Sequence, residues 1–116
     1  MRIDVENKEN GAILHLDGKI IGDGTSKLKK IIDELIESDA KWLIIDLADV
    51  PLMDSSALGT IIMAFLKLKE RKGKLALLYA QENILNILEI TKLNSLFELY
   101  DSMQSALAAV GVDGTE

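Results

Sequence analysis

Val50-Pro51-Leu52-Met53-Asp54-Ser55-Ser56-Ala57-Leu58-Gly59 joins a buried strand to an amphipathic helix. Upstream, Trp42-Leu43-Ile44-Ile45 is a continuous apolar run ending at Asp46-Leu47. A strand that does not alternate is covered on both faces, as in parallel sheets between helices. Downstream, Leu58, Ile61, Ile62, Phe65 and either Leu66 or Leu68 fall on one side of a helix from about Ser55 to Arg71. Gly73 stops that helix, after a basic cluster (Lys67, Lys69, Arg71, Lys72) that suits a helix C-terminus.

The same β-α alternation extends outward in both directions. Ile3 and Val5 alternate with Asp4 and Glu6 as a half-exposed strand. Asn10-Gly11 is a turn signal, and Ala12, Leu14 and Leu16 then alternate with Ile13, His15 and Asp17 to complete a hairpin. Gly22-Asp23-Gly24-Thr25-Ser26 reads as a loop, with Thr25 or Ser26 capping a helix of about 13 residues. Leu28, Ile31, Ile32, Leu35 and Ile36 line its buried face. Leu75 to Tyr79 is a further buried strand, and Ile84, Ile87 and Leu88 mark a third helix. Leu96, Phe97 and Leu99 mark a short last strand, and Met103, Ala106, Leu107 and Val110 a final helix. The order β-β-α-β-α-β-α-β-α predicts a single α/β domain over 1–110, with a mixed, mostly parallel sheet. Residues 111–116 read as a loose tail.

Composition narrows the function. A chain of 116 residues holds one core. Its formal charge of −6 disfavours phosphate backbones, so no nucleic-acid partner is expected. The absence of cysteine excludes disulfides, thiol catalysis and thiolate metal sites. No metal or other cofactor is expected. No apolar run reaches the roughly 20 residues needed to span a bilayer, and acids occupy the N-terminus where a signal peptide needs apolar residues. The chain reads as cytoplasmic and not inserted in a membrane.

In open sheets of this kind, sites lie at the carboxyl ends of the strands, where Asp46 to Ser56 falls. Ser55 or Ser56 then stands at a helix N-terminus, whose unpaired N–H groups and dipole favour negative charge. Asp and Ser are preferred N-cap residues, so one polar residue there is explained by capping alone. Three in a row, after Leu52-Met53 and without a capping box, leave capping and function both open.

The run Met53-Asp54-Ser55-Ser56-Ala57-Leu58-Gly59, between Leu43-Ile44-Ile45-Asp46-Leu47 and the Ile61–Leu68 helix, resembles the signature of STAS domains. These are the anti-sigma factor antagonists and related modules. Leu16-Asp17-Gly18 and Lys72-Gly73-Lys74 extend the resemblance over residues 1–110. It implies a non-enzymatic binding module in which Ser55, or second Ser56, is phosphorylated by an anti-sigma factor serine kinase. The unphosphorylated form binds that kinase and frees a sigma factor, and a phosphatase resets the switch. Asp54, Ser56, Ala57, Leu58 and Asp23 are the implied partner contacts. Two departures stand out. Ala57 replaces a family glycine, and Ile20-Ile21 is apolar where many members carry a polar or acidic residue, so either Asp23, displaced by two residues, substitutes or the site has changed. The alternative is a stand-alone STAS subunit docked permanently on a transporter or lipid-transport complex.

Other constellations are weaker. Asp46 could be the phosphoacceptor of a receiver-like domain, but the Leu78-Tyr79-Ala80 strand end lacks the required hydroxyl. The simpler reading is that Asp46 hydrogen-bonds the following loop. Gly22 to Ser26 could cradle a nucleotide phosphate, yet it lacks P-loop spacing and lysine. A Ser55–His15–acid triad is conceivable, but His15 lies in mid-strand. The Lys67–Lys74 cluster reads as a solvated helix end.

Overall fold

The computed structural model describes residues 1–112. Its elements are β1 (Arg2–Lys8), β2 (Gly11–Asp17), α1 (Asp23–Glu37), β3 (Trp42–Asp49), α2 (Ser55–Glu70), β4 (Lys74–Leu78), α3 (Glu82–Ile90), a 3-10 turn (Leu93–Ser95), β5 (Glu98–Tyr100) and α4 (Met103–Ala109). The sheet runs β1-β2-β3-β4-β5. β1 is antiparallel to β2, with Asn7 opposite Ala12, and all later pairs are parallel. The mixed, mostly parallel α/β sheet is as expected.

Because side chains alternate across a strand, the sheet supplies two cores. Ala12, Leu14, Leu43, Ile45, Leu75 and Leu77 face α1, α2 and α3. Ile13, Trp42, Ile44, Ala76 and Leu78 face α4, through Ala106 and Val110. α1 buries Leu28, Ile32 and Ile36, with Ile31 and Leu35 at the margin. In α2, Leu68 is buried and Leu66 exposed, which resolves that pair.

Several local expectations change. β2 is buried on both faces except at His15 and Asp17. Neither Thr25 nor Ser26 caps α1. Gly22 does, at φ +53, a conformation that suits glycine. The helix therefore starts earlier, with Asp23 in its first turn. After α2 the left-handed residue is Lys72, at φ +62. Gly73 is needed for space instead, since a Cβ there would meet the Lys41 carbonyl. Leu96 and Phe97 precede β5, and Phe97 plugs the first core. Of the expected tail, Val112 N–H bonds the Leu107 carbonyl at 2.9 Å and packs on the second core. Residues 113–116 lie outside the described residues.

Candidate functional site

The end of β3 and the segment from it to α2 are held from two sides. The Gly18 N–H donates to Asp49 O at 2.9 Å, and the Ile20 N–H to Leu52 O at 3.0 Å. Asp54 N–H returns a bond to Ile20 O at 3.1 Å, and Ile20 forms a parallel bridge with Met53. From α3, Gln81 Nε2 donates to Ala48 O at 2.8 Å and Asn83 Nδ2 to Pro51 O at 3.4 Å. Ile20 and Met53 are buried under this arch, while Ile21 and Leu52 stay exposed on its rim.

Asp54, not a serine, is the N-cap of α2. Its Oδ1 accepts the Ala57 N–H at 2.8 Å, and its carbonyl accepts the Leu58 N–H at 3.1 Å. Thr25 Oγ1, buried in α1, donates to the same Oδ1 at 3.5 Å. That contact brings the first turn of α1, with exposed Asp23, to the edge that holds Ser55. Ser55 and Ser56 are exposed and lie in the first turn of α2. Their N–H groups belong to the turn that leaves donors free, so the end of α2 favours an anion. Within the expected contact set, Ala57 is fully buried and Leu58 is 9% exposed. Both side chains face the core, leaving Asp54, Ser56 and Asp23 at the surface. Because Ala57 points inward, its methyl does not stand between a partner and Ser55.

The other constellations resolve into structure. His15 Nδ1 lies 2.8 Å from Asp46 Oδ2, and Nε2 2.9 Å from Glu6 Oε1. Both ring nitrogens are engaged on the sheet face opposite α2, so no triad with Ser55 forms. Burial alone would lower the His15 pKa, but hydrogen bonds and charge from Glu6 and Asp46 outweigh it and raise the value. Glu6 is held below its ordinary value by its bond to His15, then by Lys8. Asp46 Oδ1 also accepts the Ala48 N–H at 3.0 Å, a bond within the last residues of β3 and not to the loop expected after Asp46, because the strand runs on to Asp49. The Gly22–Ser26 segment offers no phosphate cradle. The Gly24 N–H bonds Ile21 O, while Thr25 and Ser26 both bond Gly22 O.

The tie from Thr25 to Asp54 and the roles of Gln81 and Asn83 escaped sequence reading, which makes Thr25 only a candidate cap of α1. Gln81 had one available signal, its place just beyond the carboxyl end of a strand. Thr25 and Asn83 had none, since their partners lie 29 and 32 residues away.

Fold and site together define a small α/β module that presents free hydroxyls on a rigid helix start at the carboxyl edge of its sheet. The chain belongs to the STAS domain family, whose model matches residues 2–106. Among solved structures it is similar to a Thermotoga maritima protein described as an anti-sigma factor antagonist. Identity is 23%, 93% of each chain is covered and the TM-score is 0.87. It is also similar to the anti-sigma factor antagonist SpoIIAA in its unphosphorylated form, with 17% identity, coverage of 94% and 96%, and TM-score 0.84. A sulfate transporter family protein from Wolinella succinogenes matches at 20% identity, with coverage of 84% and 82% and TM-score 0.72. At these identities the likeness shows a shared fold. No helix among the described residues is long and apolar enough to cross a membrane.

Proposed function

We propose that this chain is a cytoplasmic anti-sigma factor antagonist, a binding module switched by phosphate on Ser55. Unphosphorylated, it binds an anti-sigma factor serine kinase and releases a sigma factor. A phosphatase restores that state. The observation carrying this reading is the division of labour at α2: Asp54 caps the helix, so the exposed Ser55 hydroxyl has no structural duty. Phosphorylation adds about −1.5 to −2 charges at neutral pH. The N-terminus of α2 tolerates that charge, so the fold survives. In a complex, the phosphate must be desolvated beside Asp54 and it repels acidic partner groups. A penalty of about 3–4 kcal/mol weakens binding several-hundred-fold. The switch is local and needs no global conformational change.

The test is incubation with ATP and candidate kinases, then location of the phosphate by mass spectrometry. Label on Ser55, or second on Ser56, is expected. Label elsewhere, or none with any candidate kinase, overturns the reading. Ser55→Ala should keep partner binding and Ser55→Asp should lose most of it. Equal binding by both variants removes the electrostatic account.

A second reading is favoured by the likeness to the Wolinella transporter family protein. In it, the same edge is a permanent docking contact on a transport assembly, and Ser55 is never modified. Stable co-purification that is indifferent to ATP and to Ser55→Asp would select it.

A further inference from the structure

The outward side of α2 is unusual for a surface helix. Between Ser56 and Lys67 its outward positions include Gly59, Met63 and Leu66, while Ile62 and Phe65 pack at the margin of the first core. Thr60 is polar there, but its hydroxyl is spent on the Ser56 carbonyl at 3.0 Å. Met63 is 53% exposed and Leu66 44%. A helix that is apolar on all sides is normally covered. Gly59 adds a second, independent sign. A Cβ built there meets nothing within 4 Å, and its φ is not in the left-handed region. Nothing inside the chain requires a glycine, although glycine weakens a helix interior. The missing side chain leaves open the floor of a groove of about 430 Å3 between α1 and α2.

The groove is also charged against the trend of the molecule. Lys29 Nζ lies 2.7 Å from one Asp33 oxygen and Lys67 Nζ 3.3 Å from the other. Two ammonium groups share one carboxylate, a local charge of +1 in a chain whose formal charge is −6. Ser56 closes the end of the groove nearest Ser55.

We infer that this groove seats an acidic, amphipathic helix of the protein partner. Its backbone lies close over Gly59, an apolar side chain packs on Met63, and a carboxylate meets Lys29 and Lys67. This rests on the proposed function for the partner's identity and deepens it. A phosphate on Ser55 stands at the groove's mouth and repels the same acidic helix. A basic partner would gain nothing from the lysine pair.

The probes are two helical peptides of about 15 residues sharing one Leu/Ala/Gly face, one flanked by Glu and one by Lys. Each is titrated into the full chain and followed by amide NMR shifts. The acidic peptide should shift Gly59, Thr60, Met63 and Lys67, and bind at least about tenfold more tightly than the basic one. Lys29→Glu with Lys67→Glu should reverse that preference. Gly59→Ala should raise Tm by about 3–6 °C while weakening the acidic peptide several-fold, and Gly59→Leu should abolish binding. Equal affinity for both peptides, shifts outside the groove, or no shifts at all overturn the inference. No kinase or ATP is used, so this result and the Ser55 labelling result can fail separately.

Discussion

At the residue scale, Asp54 connects stability to signalling. Its Oδ1 takes the Ala57 N–H at 2.8 Å and its carbonyl takes that of Leu58. Ser55 is thereby released from capping. The two residues should separate cleanly in stability measurements. Asp54→Ala should cost about 0.5–2 kcal/mol in urea unfolding, and Asp54→Asn should recover most of it, because an amide oxygen can still accept. Ser55→Ala should stay within about 0.5 kcal/mol of wild type. If Ser55→Ala were the costlier change, the serine would be the cap and the free-hydroxyl argument would fail. His15 gives a second residue-level test. Glu6 and Asp46 raise its pKa despite burial, so the folded chain holds the proton more tightly than the unfolded one. The stability this supplies is complete below the unfolded value of about 6.5 and is lost as pH rises through the folded value. Glu6 has the opposite sign: its lowered pKa contributes above the ordinary carboxylate value and is lost as pH falls. Thermal melts of wild type should therefore decline as pH rises above about 6.5. His15→Asn should remove that decline and also weaken the acid limb, because Glu6 loses the bond that does most to hold its pKa down.

At the element scale, the starts of β2, β3 and β4 are stitched edge to edge. Lys41 N–H bonds Asn10 O at 2.6 Å, and Lys74 N–H bonds Lys41 O at 3.0 Å. Two glycines make this approach possible. A Cβ at Gly11 would enter the Trp42 ring, and one at Gly73 would enter the Lys41 carbonyl. Gly11→Ala and Gly73→Ala should each cost about 1–3 kcal/mol, whereas Gly59→Ala, with open space around it, should not. Chemical denaturation of the three variants checks the ranking. Much of this level was legible in the chain. The unbroken Trp42–Ile45 run predicted a strand covered on both faces. The i, i+3, i+4 spacing from Leu28 to Ile36 predicted the face of α1. What stayed hidden depended on tertiary contacts. Asp54, Ser55 and Ser56 are all good caps by propensity, and the choice among them falls to Ile20, which holds Met53 and Asp54 in extended backbone. Gly73 looked like a helix stop, and its N–H does close α2 on the Leu68 carbonyl at 2.7 Å, but the demand for a glycine comes from the Lys41 carbonyl 32 residues earlier. For the site, Ser55 at a helix start was readable from local sequence. The inward turn of Leu58 was readable from its spacing with Ile61 and Phe65, whereas that of Ala57 was not, because it depends on how α2 rolls against the sheet.

At the scale of the whole molecule, the two faces of the sheet are unequally covered. Three helices pack on one face, while α4, seven residues long, seals the other over Trp42, Ile44, Ala76 and Leu78. A seven-residue helix has no stability of its own in water, so α4 persists only through that contact. The question is whether it opens by itself or only with the sheet. The residues beneath it alternate along the same strands that build the larger core: Ile44 between Leu43 and Ile45, Ala76 between Leu75 and Leu77. Losing α4 exposes one face of those strands without breaking their ladders, yet it also uncovers Trp42, which is 4% exposed when folded. Trp42 is the single tryptophan, so its fluorescence reports the α4 side, while far-UV circular dichroism reports all helices. In a domain of this size unfolding is ordinarily all-or-none, and the shared strands give the physical reason here. The two urea transitions should coincide in midpoint and slope. Leu107→Ala, at the margin of the second core, should move both together. A fluorescence transition that precedes the circular dichroism transition would make α4 a separately opening cover and leave the Ser55 edge on a sheet that stands without it.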